Sequence, residues 1–251
     1  MIQVKNSEQV AIMRKAGRIT GEALLTAAEH IKEGISTLEL DTIIRRYIEK
    51  CGAKPSFLGY AGFPGSACIS LNEEIIHGIP RKDKILREGD IVKIDVGAYY
   101  QGFHGDSAKT FGVGKISDEA QRLIDVTKES FHRGAAKAVV GNRIGDIGFA
   151  IFEYATSQGC GVVRRYVGHG VGHDLHEDPE VPNFGTAGRG ARLFPGMTIA
   201  IEPMINQGTH EVKEKSDGWT VVTADGKLSA HYEHTVLVTP EGEPILLTDV
   251  S

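Results

Sequence analysis

The sequence predicts an α+β fold in which two similar halves combine their antiparallel strands into one central sheet with helices outside. Segments with helical periodicity precede strand-rich segments twice along the 251 residues. Residue types also recur at a constant offset of 107 positions, which indicates an internal duplication, with coincidence among common residues as the alternative. The matched pairs are Gly34 and Gly141, Ile44 and Ile151, Tyr47 and Tyr154, Gly52 and Gly159, Leu86 and Leu193, Gly89 and Gly196, and Ile94 and Ile201.

The first half begins with two predicted helices and continues into a predicted hairpin. Apolar residues repeat with helical spacing over 7–31, and Ser36 or Thr37 can cap a second helix that extends to about Lys50. Residues 89–114 then alternate as two strands around a glycine-containing turn.

The second half repeats this order. Residues 117–139 predict a helix with an acidic first turn, residues 144–160 predict another, and the last hundred residues are rich in strands and loops. We therefore expect a single catalytic domain over residues 1–251, with duplicated halves at roughly 10–113 and 120–248.

Composition narrows the class of protein. The net charge is −5 with both signs mixed along the chain, which argues against nucleic acid or an anionic membrane as a partner. Three cysteines in unrelated contexts favour a reducing compartment over a disulfide framework. The N-terminal segment resembles neither a signal peptide nor a membrane span, so a cytoplasmic monomer is expected.

Four acidic residues lie in segments that otherwise predict buried strands. The duplication pairs Asp95 with Glu202 and, after an insertion of 20 residues, Asp106 with Glu233. A hairpin turn near residues 100–101 would place Asp95 and Asp106 opposite each other. Buried carboxylates are costly unless they are protonated, paired or bound to a cation, so this repeated arrangement predicts a metal site.

Basic residues offer the alternative of structural ion pairs. Lys93 and Lys109 are the nearest, but two lysines cannot neutralise four carboxylates. Glycine-flanked His77 and His169 are further candidates for the site. Four carboxylates with one or two imidazoles suit a two-metal site for Mn, Fe(II), Co or Zn. Four other histidines are interpreted as surface residues: His30, His132, His210 and His231.

Several motifs together resemble the methionine aminopeptidases, specifically the short bacterial type I form, over nearly the whole chain. They are "NEEIIHGIP", "VKIDVGAYYQGFHGDSAKTF", "VGHGVGHDLHEDP", "IAIEPM" and "DGWTVVTADGKLSAHYEHTV". The resemblance implies the pita-bread fold. It also implies a metalloprotease that removes the initiator methionine from nascent proteins and peptides whose second residue is small, through attack of metal-activated water on the first peptide bond.

The resemblance also implies roles for individual residues. Asp106 and Glu233 would bridge two divalent ions, His176 would stabilise the oxyanion, and His77 would contact the substrate near the scissile amide. Glu202 would in addition carry a proton to the leaving amine. The implied metal ligands are Asp95, Asp106, His169, Glu202 and Glu233.

The methionine pocket implied by the resemblance is apolar and departs from some relatives. Phe57 and Leu175 stand where some members carry cysteine and phenylalanine. A monovalent cation near Asn72 and Ser229 is implied for some members, with turn hydrogen bonding as the alternative. His234 is expected to support a neighbouring ligand. The expected pocket residues are Tyr60, Phe63, Cys68 and Trp219.

Three other functions remain open at this point. A proline-cleaving peptidase shares the same fold, a peptide-binding module of this fold would have lost metal ligands, and an unrelated carboxylate metalloprotein such as an oxidase would not release methionine. The expected partner is the N-terminal methionine of nascent polypeptides near the ribosome.

Overall fold

The structure, a computed structural model, describes residues 1–250 and contains four α-helices in that range. All four predicted helices are confirmed, although α1, α3 and α4 end three or four residues earlier than predicted. Side-chain oxygens of Asn6, Ser36 and Ser117 accept backbone N–H groups in the first turns of α1, α2 and α3. The bounds are α1 Ser7–Ala28, α2 Thr37–Lys50, α3 Asp118–Ala135 and α4 Ile144–Ser157.

The strands are antiparallel and form four ladders rather than the one continuous sheet that was predicted. Their orders are β1-β4-β2 with β5 on β4, β15-β14-β9-β7-β8, β13-β10-β6 and β11-β12-β3. The bounds are β1 Lys54–Pro55, β2 Ala67–Leu71, β3 Glu74–Ile76, β4 Ile91–Tyr100, β5 Phe103–Gly112, β6 Gly161–Val162, β7 Gly168–Gly170, β8 Glu177–Val181, β9 Thr198–Ile201, β10 Met204–Asn206, β11 Val212–Glu214, β12 Val221–Thr223, β13 Ser229–His231, β14 His234–Leu237 and β15 Ile245–Leu246.

The predicted hairpin forms from β4 and β5, with a two-residue turn at Gln101 and Gly102, both at positive φ. Its register differs from the predicted one. Asp95 pairs with Ala108, and Asp106 pairs with Gly97, so the two acids lie diagonally on one face instead of directly opposite. The diagonal position leaves room between the carboxylates.

Several equivalent elements of the two halves are 107 residues apart. Helices α2 and α4 both have 14 residues, and their first residues are Thr37 and Ile144. Strands β1 and β6 also keep this offset, as do the isolated bridges that precede the two helices. These shared positions support the duplication, whose boundaries stay a prediction.

Two strand breaks face each other in the second half. Strand β9 ends before Glu202 and Pro203, and the paired β14 begins after Tyr232 and Glu233. Pro203 has no N–H for a ladder bond, which favours a break at this place. The backbone of Glu233 instead exchanges hydrogen bonds with Ala108 of β5, at 2.8 and 3.3 Å. The breaks therefore join the two halves where the acids lie.

Helices cover the outer faces of both halves. Apolar residues of α1 and α2 pack on β2 and β4, while α3 and α4 cover the strands of the second half. Helix α1 approaches β5 so closely that a side-chain carbon at Gly105 would lie 2.8 Å from the Gly17 Cα atom. This contact fixes the strand next to Asp106. No helix within residues 1–250 is long and apolar enough to cross a membrane.

Candidate metal centre

The predicted acids and His169 meet at the junction of the two halves. The His169 Nε2 atom lies 3.5 Å from Glu202 Oε1 and 3.9 Å from Asp106 Oδ2. Ligand atoms of Asp106, His169 and Glu233 all lie within 4.8 Å of one another. Asp95 lines the same cavity. The structure thus brings together all five residues that the sequence suggested as ligands.

Burial makes this cluster unfavourable for bare charges. It raises the pKa of Asp95 to about 7 and the pKa of Asp106 well above its usual range. The pKa values of Glu202 and Glu233 are also raised well above their usual range, first by burial and then by neighbouring carboxylates. The cluster therefore needs either protons or a cation.

The orientation of His169 favours a cation. Its Nδ1 atom lies 2.9 Å from the Gly170 carbonyl oxygen, which can only accept, so Nδ1 carries the proton and Nε2 presents its lone pair. Burial lowers the pKa of His169 to about 3, so the ring is neutral. A lone pair directed at two carboxylates is the arrangement of a metal ligand.

The lysines do not neutralise the acids. The Lys109 Nζ atom lies 5.8 Å from the centre of the Tyr232 ring, and Lys93 donates to backbone oxygens elsewhere. One buried oxygen of Asp95 and one of Asp106 have no hydrogen-bond partner. Unpartnered buried oxygens and an imidazole lone pair around one space fit divalent ions with O and N ligands.

His231 was missed as part of this site, and its interpretation as a surface residue is wrong. It is 2% exposed, and its Nε2 atom lies 3.9 Å from Glu202 Oε2 and 4.0 Å from Glu233 Oε2. Neither ring nitrogen has a hydrogen-bond partner. Strand alternation held the signal, since His231 is two residues before Glu233 and shares its face. His30 and His132 are exposed, as predicted, and His210 is half-buried.

An apolar cavity of about 310 Å³ opens directly onto the acids. Phe63 meets Trp219 edge to face, with ring centres 5.1 Å apart. The departures Phe57 and Leu175 are both buried in the same wall. All four expected pocket residues line the cavity, namely Tyr60, Phe63, Cys68 and Trp219.

Two further histidines line the cavity next to the acids. The His176 ring centre lies 4.1 Å from that of His169, and its Nδ1 atom lies 2.8 Å from the Tyr60 hydroxyl oxygen. His77 has a φ of 58° and contacts the rings of Trp219 and Tyr166. Burial lowers the pKa of His176 and lowers that of His77 to about 4, so both rings are neutral.

Known proteins share this arrangement over the full chain. A model of metallopeptidase family M24 matches residues 11–240. The methionine aminopeptidase of Clostridium acetobutylicum is 54% identical over 246 residues and is covered, like this chain, to 98%. The crystal structure of a methionine aminopeptidase from Thermotoga maritima matches with a TM-score of 0.97 at 44% identity, covering 99% of this chain and 100% of that one.

The chain belongs to the methionine aminopeptidases of metallopeptidase family M24. The predicted family and the pita-bread fold are confirmed. A prolidase from Pyrococcus furiosus matches with a TM-score of 0.79 at 25% identity, covering 99% of this chain and 66% of that one. The fold is therefore shared with proline-specific relatives, while the sequence is closer to the methionine aminopeptidases.

One expectation for this methionine aminopeptidase relative disagrees with the structure. The Lys93 Nζ atom lies 2.7 Å from the Asn72 carbonyl oxygen and 3.0 Å from that of Ser229. These oxygens therefore do not offer an open pair of acceptors to a monovalent cation.

His234 points away from the metal centre. Its Nδ1 atom lies 2.7 Å from the Thr248 hydroxyl and its Nε2 atom lies 3.3 Å from the Tyr232 hydroxyl. It holds the start of β14 against the C-terminal segment and touches no ligand side chain through these bonds. Its expected support of a neighbouring ligand is confined to the backbone.

Proposed function

We propose that this chain removes the N-terminal methionine from peptides and nascent proteins whose second residue is small. The carrying observation is a closed apolar cavity that ends on a buried cluster of carboxylates and imidazole. An unbranched apolar side chain fits the aromatic wall, and the reacting bond then lies at the acids. Relatives named methionine aminopeptidase at 52–55% identity support this choice.

We further propose that five residues hold two divalent ions of the Mn, Fe(II), Co or Zn class. When bound, such ions supply Lewis-acid polarisation of a carbonyl and a water ionised near neutral pH. The buried lone pair of His169 and the unpartnered carboxylate oxygens support this assignment. The proposed ligands are Asp95, Asp106, His169, Glu202 and Glu233.

The histidines of the cavity position the scissile bond. The Tyr60 hydroxyl donates to His176 Nδ1, which leaves Nε2 protonated and free to donate to the carbonyl oxygen and the oxyanion. His77 sits between aromatic rings on the other side and orients the substrate near the amide. Glu202 receives a proton at a carboxylate oxygen and passes it to the departing nitrogen.

The pocket holds the methionine side chain through Tyr60, Phe63, Cys68 and Trp219. Aromatic edges around sulfur contribute favourable contacts, and the fully buried Cys68 thiol adds polarizable surface without charge, because burial raises its pKa well above the usual range. A branched or charged first residue would lose these contacts.

The cellular setting belongs to the same proposal. The three cysteines are all free, which suits a reducing cytoplasm. We propose a monomer that acts on nascent chains near the ribosome, as one catalytic domain with duplicated halves at roughly 10–113 and 120–248. The balanced surface charge supports neither nucleic acid nor membrane as a direct partner.

Release of methionine from Met-Ala-Ser tests the proposed function. Metal-stripped protein is assayed with Mn, Fe(II), Co or Zn returned singly, and Ala-Ala-Ser and Met-Pro-Ser serve as comparison substrates. Metal-dependent release of methionine and no release of alanine are expected, and Glu202→Gln should lose most of the rate. Preference for Ala-Ala-Ser, or full activity of Glu202→Gln, contradicts the proposal.

A further inference from the structure

Lys93 is the largest side chain that is fully buried, and its amino group is not used by the metal centre. It is 1% exposed and lies on β4, two residues before Asp95. The chain directs this amino group to two backbone oxygens, of Asn72 and Ser229, and to no carboxylate among its hydrogen bonds. A buried amine held by carbonyl oxygens alone occupies the environment of a dehydrated monovalent cation.

The two oxygens belong to different halves of the molecule. Asn72 sits at positive φ in the turn between β2 and β3, and its carbonyl also accepts the Ser229 N–H at 3.1 Å. Ser229 begins β13, which ends just before Glu233. Lys93 thus links the strand of Asp95 to the strand that leads into Glu233, across 136 residues of sequence.

The geometry is satisfied in either protonation state. Burial lowers the pKa of Lys93 to about 7, while Glu73, Glu74 and Asp90 act in the opposite direction and Lys84 adds to the lowering. An ammonium group has three hydrogens and a neutral amine has two, and two oxygens accept. The link therefore persists on both sides of neutral pH.

We propose that Lys93 is a positioning residue whose tethered amino group replaces a dissolved Na⁺ or K⁺ on the Asn72 and Ser229 carbonyls, so that the metal centre needs no monovalent cation. The proposal rests on the proposed function only where peptide turnover is measured. Its consequences for metal affinity and for stability can be measured without any substrate.

The test compares wild-type protein with Lys93→Ala in KCl, NaCl or choline chloride of equal ionic strength. The melting temperature of the metal-free protein and the Mn²⁺ affinity by calorimetry are measured in each salt. Wild-type values should be the same in all three. Lys93→Ala should bind Mn²⁺ roughly 10- to 100-fold more weakly in choline chloride, with saturable recovery in KCl or NaCl as the small ion enters the opened space.

Lys84→Met is the matched control, because Lys84 is also largely buried and donates to the Ile69 carbonyl at 2.9 Å, but it pairs with Glu74 as well. Its Mn²⁺ affinity should stay at the wild-type value in every salt. An equal loss in Lys84→Met would mean that removing any buried lysine disturbs the site, and would overturn the proposal.

Three results overturn the proposal directly. They are saturable K⁺ or Na⁺ stimulation of the wild type, unchanged Mn²⁺ affinity of Lys93→Ala in choline chloride, and a loss in that variant that no salt restores. If Lys93→Ala does not fold, Lys93→Met, which keeps most of the volume, replaces it and should bind Mn²⁺ weakly in every salt. Wild-type failure to cleave Met-Ala-Ser, with these results intact, would refute only the proposed function.

Discussion

Replacing Asp95 by asparagine should stabilise the metal-free protein, although it removes a proposed ligand. Burial raises the pKa of Asp95 from its ordinary value of 3.8 to about 7. In the native state the ionised form is therefore disfavoured, and the native protein retains a proton that the unfolded chain has lost. Stability must fall as pH rises from about 4 to about 7. An asparagine of the same shape cannot ionise and escapes this loss.

The size of the effect follows from the same shift. Each tenfold change in an ionisation constant is worth about 1.4 kcal/mol, so a rise from 3.8 to about 7 corresponds to about 4 kcal/mol above neutral pH. Asp95 lines a cavity that admits solvent, and screening there reduces the expected gain for Asp95→Asn to about 2 to 4 kcal/mol at pH near 8. At pH near 5 less than half of the gain should remain.

Urea unfolding of chelator-treated protein at the two pH values measures this difference. Saturating Mn²⁺ should reverse the order, since metal binding stabilises the wild type by about 3 kcal/mol at a hundredfold excess over the dissociation constant. Asp225→Asn is the control, because backbone N–H groups of Thr209 and Lys227 lower the pKa of Asp225, which reverses the sign. A metal-free Asp95→Asn no more stable than wild type, or a gain equal at both pH values, would refute the reasoning.

Three other changes test single contacts. Tyr60→Phe removes the donor to His176 Nδ1 and should lower kcat about fivefold, the worth of one hydrogen bond, in steady-state assays on Met-Ala-Ser; unchanged kcat would count against this positioning role. Lys5→Met leaves the buried Glu177 carboxylate without its 2.5 Å partner and should cost about 3 to 5 kcal/mol in urea unfolding, whereas a loss below about 1 kcal/mol would contradict it. Trp219→Ala should raise KM for methionine peptides about tenfold or more by removing aromatic wall, and an unaltered KM would place methionine elsewhere.

Much of the fold and of the candidate site could be predicted because they follow local rules. The four helices have clear periodicity, and Ser36 and Ser117 are ordinary caps. The offset of 107 residues located the acids as pairs, and strand alternation made each of them too costly to leave bare. Family motifs then supplied roles that no periodicity could supply.

The errors arose where pairing across the chain overrides local pattern. The break at Glu202 could have been expected from Pro203, but that the facing strand also breaks at Glu233 depends on hydrogen bonds to Ala108 of the other half. His231 was dismissed because it was considered alone, although its position two residues before Glu233 places it on the same face. The hairpin register shifted the acids to a diagonal that sequence could not distinguish from a direct pair.

Lys93 shows how a residue first weighed for one role can have another. Its place beside Asp95 suggested an ion pair, because opposite charges two residues apart on a strand share a face. The structure instead directs the amino group to the Asn72 and Ser229 carbonyls and leaves the carboxylate oxygens of Asp95 and Asp106 open. An ion pair would have neutralised the site and weakened metal binding. A lysine held by backbone oxygens strengthens the junction of the two halves while the acids keep the charge that a divalent ion requires.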